Sequence, residues 1–141
     1  MATESPLIHD GAQTVAAANY GNGAGLAGPG GSGQFLAVAL SQAADRTSVL
    51  ASVLGQQVYG ILQNKPAAGE VADVGIFGVS KAQVGVSGST HGKPQMVDAT
   101  GAVTDWVAGA GNAQIGNAIE SGSSGAIITL FIGAPSPKVL T

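Results

Sequence analysis

The chain has 141 residues and no cysteine; 9% of it is charged, 23 residues are glycine, and the net charge is −3. That length suits one domain with a real core, the missing thiols exclude cysteine nucleophiles, cysteine-ligated zinc and disulfides, and five cations cannot build the basic stripe that nucleic acid requires. Ordinary domains carry about 25% charge, so a surface this poor in charge is expected to be covered by partners.

Residues 1–34 read as an N-terminal arm. The stretch GAQTVAAANYGNGAGLAGPGGSGQ has no sustained period, and its glycines make ordering costly. Leu7, Ile8, Tyr20 and Leu26 are spaced anchors within it, which predicts that the arm orders on a partner's surface and that the remainder folds without it. The start, MATESPLIHDGAQ, has neither the basic nor the apolar region of a targeting signal. No run approaches the ~18 apolar residues of a membrane helix, so no membrane is expected.

The body runs over residues 35–132. QFLAVALS alternates as a strand, with Phe35, Ala37 and Ala39 on one face and Leu36, Val38 and Leu40 on the other. DRTSVLASVLGQQ is ambiguous: Val49, Leu50, Val53 and Leu54 fit a helical stripe capped by Gly55, or a β-branched strand entering a turn. QVYGIL and VADVGIFGV read as strands joined through Pro66 and Gly69, and SKAQVGV continues with Ala82, Val84 and Val86 on one face. PQMVDATGAVTDWV reads as a hairpin turning at Asp98 to Gly101. AQIGNAI and GAIITLFI close the body, and the proline-bearing tail, 133–141, leaves the sheet. Short strands with glycine-rich turns predict an all-β fold, a small curved barrel or sandwich.

Gly60, Gly75, Gly78 and Gly116 fall inside strand patterns, where glycine marks a bulge, a bend or the close approach of another backbone. In GAIITLFI both alternating faces are apolar, so both are expected to be buried. The second face needs a cover, either the arm or a neighbouring subunit, for which Ile128, Leu130 and Ile132 are the proposed interface; a central strand buried within one subunit is the alternative.

Catalytic chemistry is sparse, and the chain is not expected to be an enzyme. His91 lies near Ser87 and Ser89, but neighbours in one loop rarely adopt triad geometry. The carboxylates share no metal-binding spacing, so neither metal nor cofactor is expected. Asp73 suits a solvated rim, and Asp98 and Asp105 suit turn hydrogen bonds. GAGLAG, residues 23–28, matches the dinucleotide glycine pattern only formally, because PGGSG and not a helix follows it. Trp106 is expected in the core; with Tyr59 it is also the candidate stacking pair of a carbohydrate-binding module.

VYGILQNKPAAGEVADVGIFGVSKAQVG, followed by GKPQMVDATGAVTDW and AQIGNAIESGSSGAIITLFI, resembles the capsid cement, or head decoration, proteins of tailed bacteriophages. The resemblance covers residues 35–132 and implies a non-enzymatic virion protein on the outer surface of the capsid. It implies a β-barrel or tulip-like sheet with a terminal arm, a homotrimer, and the major capsid protein as partner. It also favours strand over helix at 47–54. A capsid-stabilising clamp is the leading reading. The carbohydrate module is second, and a hydrolase using His91 with Ser87 or Ser89 is third.

Overall fold

The apolar alternation becomes nine β-strands in the computed structural model, which describes residues 9–23, 25–109 and 111–133 and holds no helix among them. They are β1 (His9–Ala16), β2 (Ala37–Leu40), β3 (Thr47–Leu50), β4 (Gly60–Leu62), β5 (Val71–Gln83), β6 (Pro94–Val97), β7 (Val103–Asp105), β8 (Gly116–Ala118) and β9 (Ile127–Ile132). The fold is all-β. Strands β1, β3, β2, β4 and β5 pair in that order, and β1 pairs again with β5, closing a five-stranded barrel. Only β1 and β3 run parallel within it.

β5 is the longest strand, at 13 residues, and it leaves the barrel to begin a second layer. Its residues 78–83 pair with β9, and the sheet continues through β8, β6 and β7. A parallel bridge from Val103 back to Val84 returns the sheet to the end of β5. The change of direction has a local cause. Opposite β1 the register slips, so that Asp10 faces Phe77 and Gly11 faces Gly75, leaving Ile76 as an extra residue. A bulge of this kind bends its strand, and Gly78 follows with φ of 101°, open to glycine at little cost.

Two clusters fill the molecule. Ala16, Tyr20, Val38, Leu62, Ala72 and Val74 fill the barrel. Val84, Val97, Val103, Ile115, Ile128, Leu130 and Ile132 fill the second layer, where Ala37 and Ile61 join them. Alternation along β2 and β4 therefore sends adjacent residues into different cores: Ala37 and Ile61 one way, Val38 and Leu62 the other. Strands buried on both faces read as continuous apolar runs.

The stretch GILQNKPAAGE is explained residue by residue through this packing. A Cβ at Gly60 would collide with the carbonyl oxygen of Gly75 on the neighbouring strand, and one at Gly116 with that of Phe131. The close-approach reading holds for both. Beyond β4, Gln63 donates to Ser80 Oγ at 2.8 Å. Asn64 donates to the carbonyl of Val71 at 2.9 Å and accepts from the N–H of Asp73 at 3.0 Å, as a further strand would. Pro66 is buried, and its carbonyl accepts from Tyr20 at 2.8 Å. Glu70 Oε2 accepts from the N–H of Ala67 at 2.8 Å, closing the turn.

The choice left open at 47–54 falls to strand β3 followed by a loop, the alternative that the resemblance favoured. Several expectations are corrected. The two faces of β9 are not equivalent. Ile128, Leu130 and Ile132, assigned to a subunit interface, lie in the chain's own core at 2%, 0% and 3% exposure. Ile127 and Phe131 face solvent. The physical reason is that the second layer must bury one face of β9 to have a core at all. Within the segment read as an arm, β1 pairs with β5 from Val15 to His9, and Tyr20 is 6% exposed in the barrel cluster. Leu26 is half-buried; Leu7, Ile8 and residues 134–141 of the tail lie outside the described residues.

Candidate interaction surfaces

The outer face of β5, β9 and β8 is the first candidate. On it Phe77 of β5 and Ile127 and Phe131 of β9 point away from the core. Phe77 is 48% and Phe131 40% exposed. Their rings meet edge to face, with centroids 5.8 Å apart and planes at 73°, a favoured aromatic geometry. Ile127 and Ile119 are exposed with them. Ile119 donates its N–H to the Thr129 carbonyl at 2.9 Å, which extends the β8–β9 pairing. At the margin, Lys81 Nζ lies 6.0 Å from the centre of the Phe35 ring. β1 begins and β9 ends opposite the same residue, Gly78, so both leave this face at one border.

The second candidate is an apolar groove of about 510 Å³ beside the β6–β7 hairpin. Val86, at 83% exposure, rims it with Leu54 and Val107, and Met96 and Thr104 form its floor. Val86 thus departs from the buried face of Ala82 and Val84 with which the alternation had grouped it.

Two acids beside the groove are built into the fold. Asp98 Oδ1 accepts from Thr100 N–H at 2.8 Å, Thr100 Oγ1 at 2.6 Å and Ala102 N–H at 3.2 Å, which makes the hairpin turn as expected. Asp105 accepts from Thr90 N–H at 2.7 Å, Thr90 Oγ1 at 2.8 Å and Gln95 Nε2 at 2.9 Å. It also pairs with Lys93 at 3.4 Å. Burial pushes the Asp105 carboxyl upward, but the bonds from Gln95 and Thr90, with Lys93, outweigh it and hold the pKa down at about 2. Glu120 is also lowered, by its bonds from Thr129.

The remaining candidates separate. His91 does not meet Ser87 or Ser89. Its Nδ1 lies 2.8 Å from Ser121 Oγ, which also accepts the His91 N–H at 2.9 Å. A hydroxyl held in this way ties two loops together. Asp73 is exposed and takes a 3.2 Å bond from Gln13, the rim role expected of it. Trp106 is half-buried, with Nε1 donating to the Asn112 carbonyl at 3.1 Å. Tyr59 lies elsewhere, in a cleft of mixed polarity that Trp106 does not line. The proposed stacking pair is therefore not a pair. Among the described residues no three His, Asp or Glu side chains converge as a metal would need.

Sequence reasoning missed the Phe77–Phe131 face. Alternation placed Phe77 and Phe131 on identifiable faces of their strands, but could not say which face the core would take. No family model matches the sequence, and no curated protein matches it. Among solved structures, the chain is similar to the head fiber gp8.5 N base of bacteriophage phi29, with a TM-score of 0.64 and 14% identity. The match covers 93% of this chain and 99% of that one. At that identity the likeness establishes the fold: this chain shares the all-β architecture of that head fiber base.

Proposed function

We propose that the protein is a structural component of a bacteriophage virion that decorates the outside of the capsid and clamps adjacent major capsid subunits. The observation that carries this reading is the open aromatic face of β5 and β9. A chain with so little charge leaves Phe77 and Phe131 paired at its surface, and an exposed apolar patch marks a contact site. The fold it shares with a phage head fiber base supports the setting, as does the sequence resemblance to head decoration proteins. The clamp works through shape and apolar contact and requires no reactive group. It acts as a homotrimer, because three copies of a weak capsid contact raise avidity by about 10²–10⁴ when the geometry permits. Leu7 and Ile8, ahead of β1 in the sequence, are apolar anchors for the same partner.

Co-sedimentation with expanded phage heads that lack the protein tests this. The wild-type chain pellets with the heads, and binding changes little between low and moderate salt. Phe131→Ser and deletion of residues 1–8 each weaken binding about tenfold. Wild-type protein that remains in the supernatant at every head concentration overturns the reading.

A further inference from the structure

We infer that the cleft lined by Tyr59 holds a binding site for a neutral oligosaccharide. Two cavities of about 430 and 360 Å³ are both lined by Tyr59 and Leu40. Together they form a two-lobed cleft within the range of small-molecule sites. Half-buried Tyr59 lines both lobes and packs on the barrel core. An aromatic plane at a cleft wall suits the apolar face of a sugar ring, and the surrounding groups suit its hydroxyls.

Those groups are amides and hydroxyls with one charge of each sign. Gln42 and Gln57 are exposed in one lobe. Gln56 lines it too, and its Oε1 is occupied by the N–H groups of Ser52 and Val53 at 3.0 and 3.3 Å, which leaves its amide N–H₂ to face a ligand. Asp45 and Arg46 in the other lobe carry opposite charges, which selects neither an anion nor a cation.

Two further observations point to a ligand. Thr14 lines the second lobe at 7% exposure, and its buried Oγ1 has no hydrogen-bond partner in the protein. An unpaired buried hydroxyl is costly, and this one belongs to a residue of the cleft wall. Arg46 has φ of 54°, a left-handed conformation that a non-glycine residue adopts at a cost. Strain of this kind collects at ligand clamps. The Arg46 carbonyl is held by the N–H of Val15 at 2.8 Å, which fixes the residue at the cleft's edge.

The site is independent of the capsid reading. NMR titration of the full chain with maltotetraose, cellotetraose and tetra-N-acetylchitotetraose tests it. At least one probe shifts the Tyr59, Gln57 and Arg46 amides saturably, with Kd near the millimolar range, about 1 mM. Tyr59→Ala weakens that binding about tenfold and Tyr59→Phe retains it. Because Tyr59 also packs on the core, the surface pair Gln42→Ala with Gln57→Ala provides a second test and weakens binding about fivefold. The inference is overturned if none of the three probes shifts these amides at about 20 mM, or if the shifts survive in the glutamine pair.

Discussion

Residues 71–77 of β5 belong to a ring that closes on itself, whereas residues 78–83 belong to a sheet that returns by a single bridge. The two regions solve different problems. Inside the five-stranded barrel there is little room, and Ala16, Ala72, Val38 and Val74 supply small inward side chains around Leu62 and Tyr20. The second layer is wider and takes Ile115, Ile128, Leu130 and Ile132. Ring closure removes open strand edges, but it makes the barrel depend on β1, a strand separated from β2 by residues 17–36. The second layer depends instead on bulky side chains from one face of each strand, and this leaves the opposite face of β9 apolar and open. The ring thus closes on itself, and the exposed aromatic area lies in the sheet beside it.

Deleting residues 1–16 breaks this comparison most severely. It removes β1, unpairs the facing edges of β3 and β5, and takes Ala16 from the core. Urea unfolding followed by NMR is expected to show the barrel resonances lost, whereas an independent arm would leave them intact. The same pairing argues against the expectation that the body folds without residues 1–34, since Tyr20 would be lost as well. Gly116→Val is next. Its side chain would drive into the Phe131 carbonyl, and overpacking of this kind costs about 3 kcal/mol, seen as a lower denaturation midpoint.

Neighbours on β9 sharpen the contrast between the buried and open faces. Leu130→Ala is expected to destabilise the fold by about 2–5 kcal/mol, because it opens a cavity in a filled core. Phe131→Ser, one residue along, is expected to change stability by about 1 kcal/mol or less while weakening head binding. Equal losses in the two variants would mean that Phe131 serves the fold and not a partner.

The smallest effect is that of pH. Asp105 titrates at about 2, below the ordinary 3.8. A carboxyl lowered by folding stabilises the folded chain above the ordinary value, and that contribution disappears as pH falls through the folded one. Wild-type protein should therefore lose stability between about pH 4 and pH 2, with Asp105→Asn losing less over that window. At neutral pH the variant should be less stable by about 1–2 kcal/mol, for want of charge-assisted bonds from Thr90, Gln95 and Lys93. Parallel acid profiles for the two proteins would remove Asp105 from this role.

Local patterns determined a good deal of the architecture. Alternation and glycine-rich turns are properties of a few consecutive residues, and they specify the strands, the hairpin held by Asp98 and the close backbone approaches at Gly60 and Gly116. Asp73 at a rim was legible for the same reason. The tertiary structure decided which of two apolar faces each strand buries, because that depends on what lies opposite. Ile128, Leu130 and Ile132 went inward while Phe131 stayed out, and Tyr59 was separated from Trp106 by the course of the whole sheet. It also decided that residues 9–16, polar and glycine-bearing, close the barrel. Their pairing with β5 rests on backbone hydrogen bonds between distant segments, and those leave little trace in the identity of the side chains.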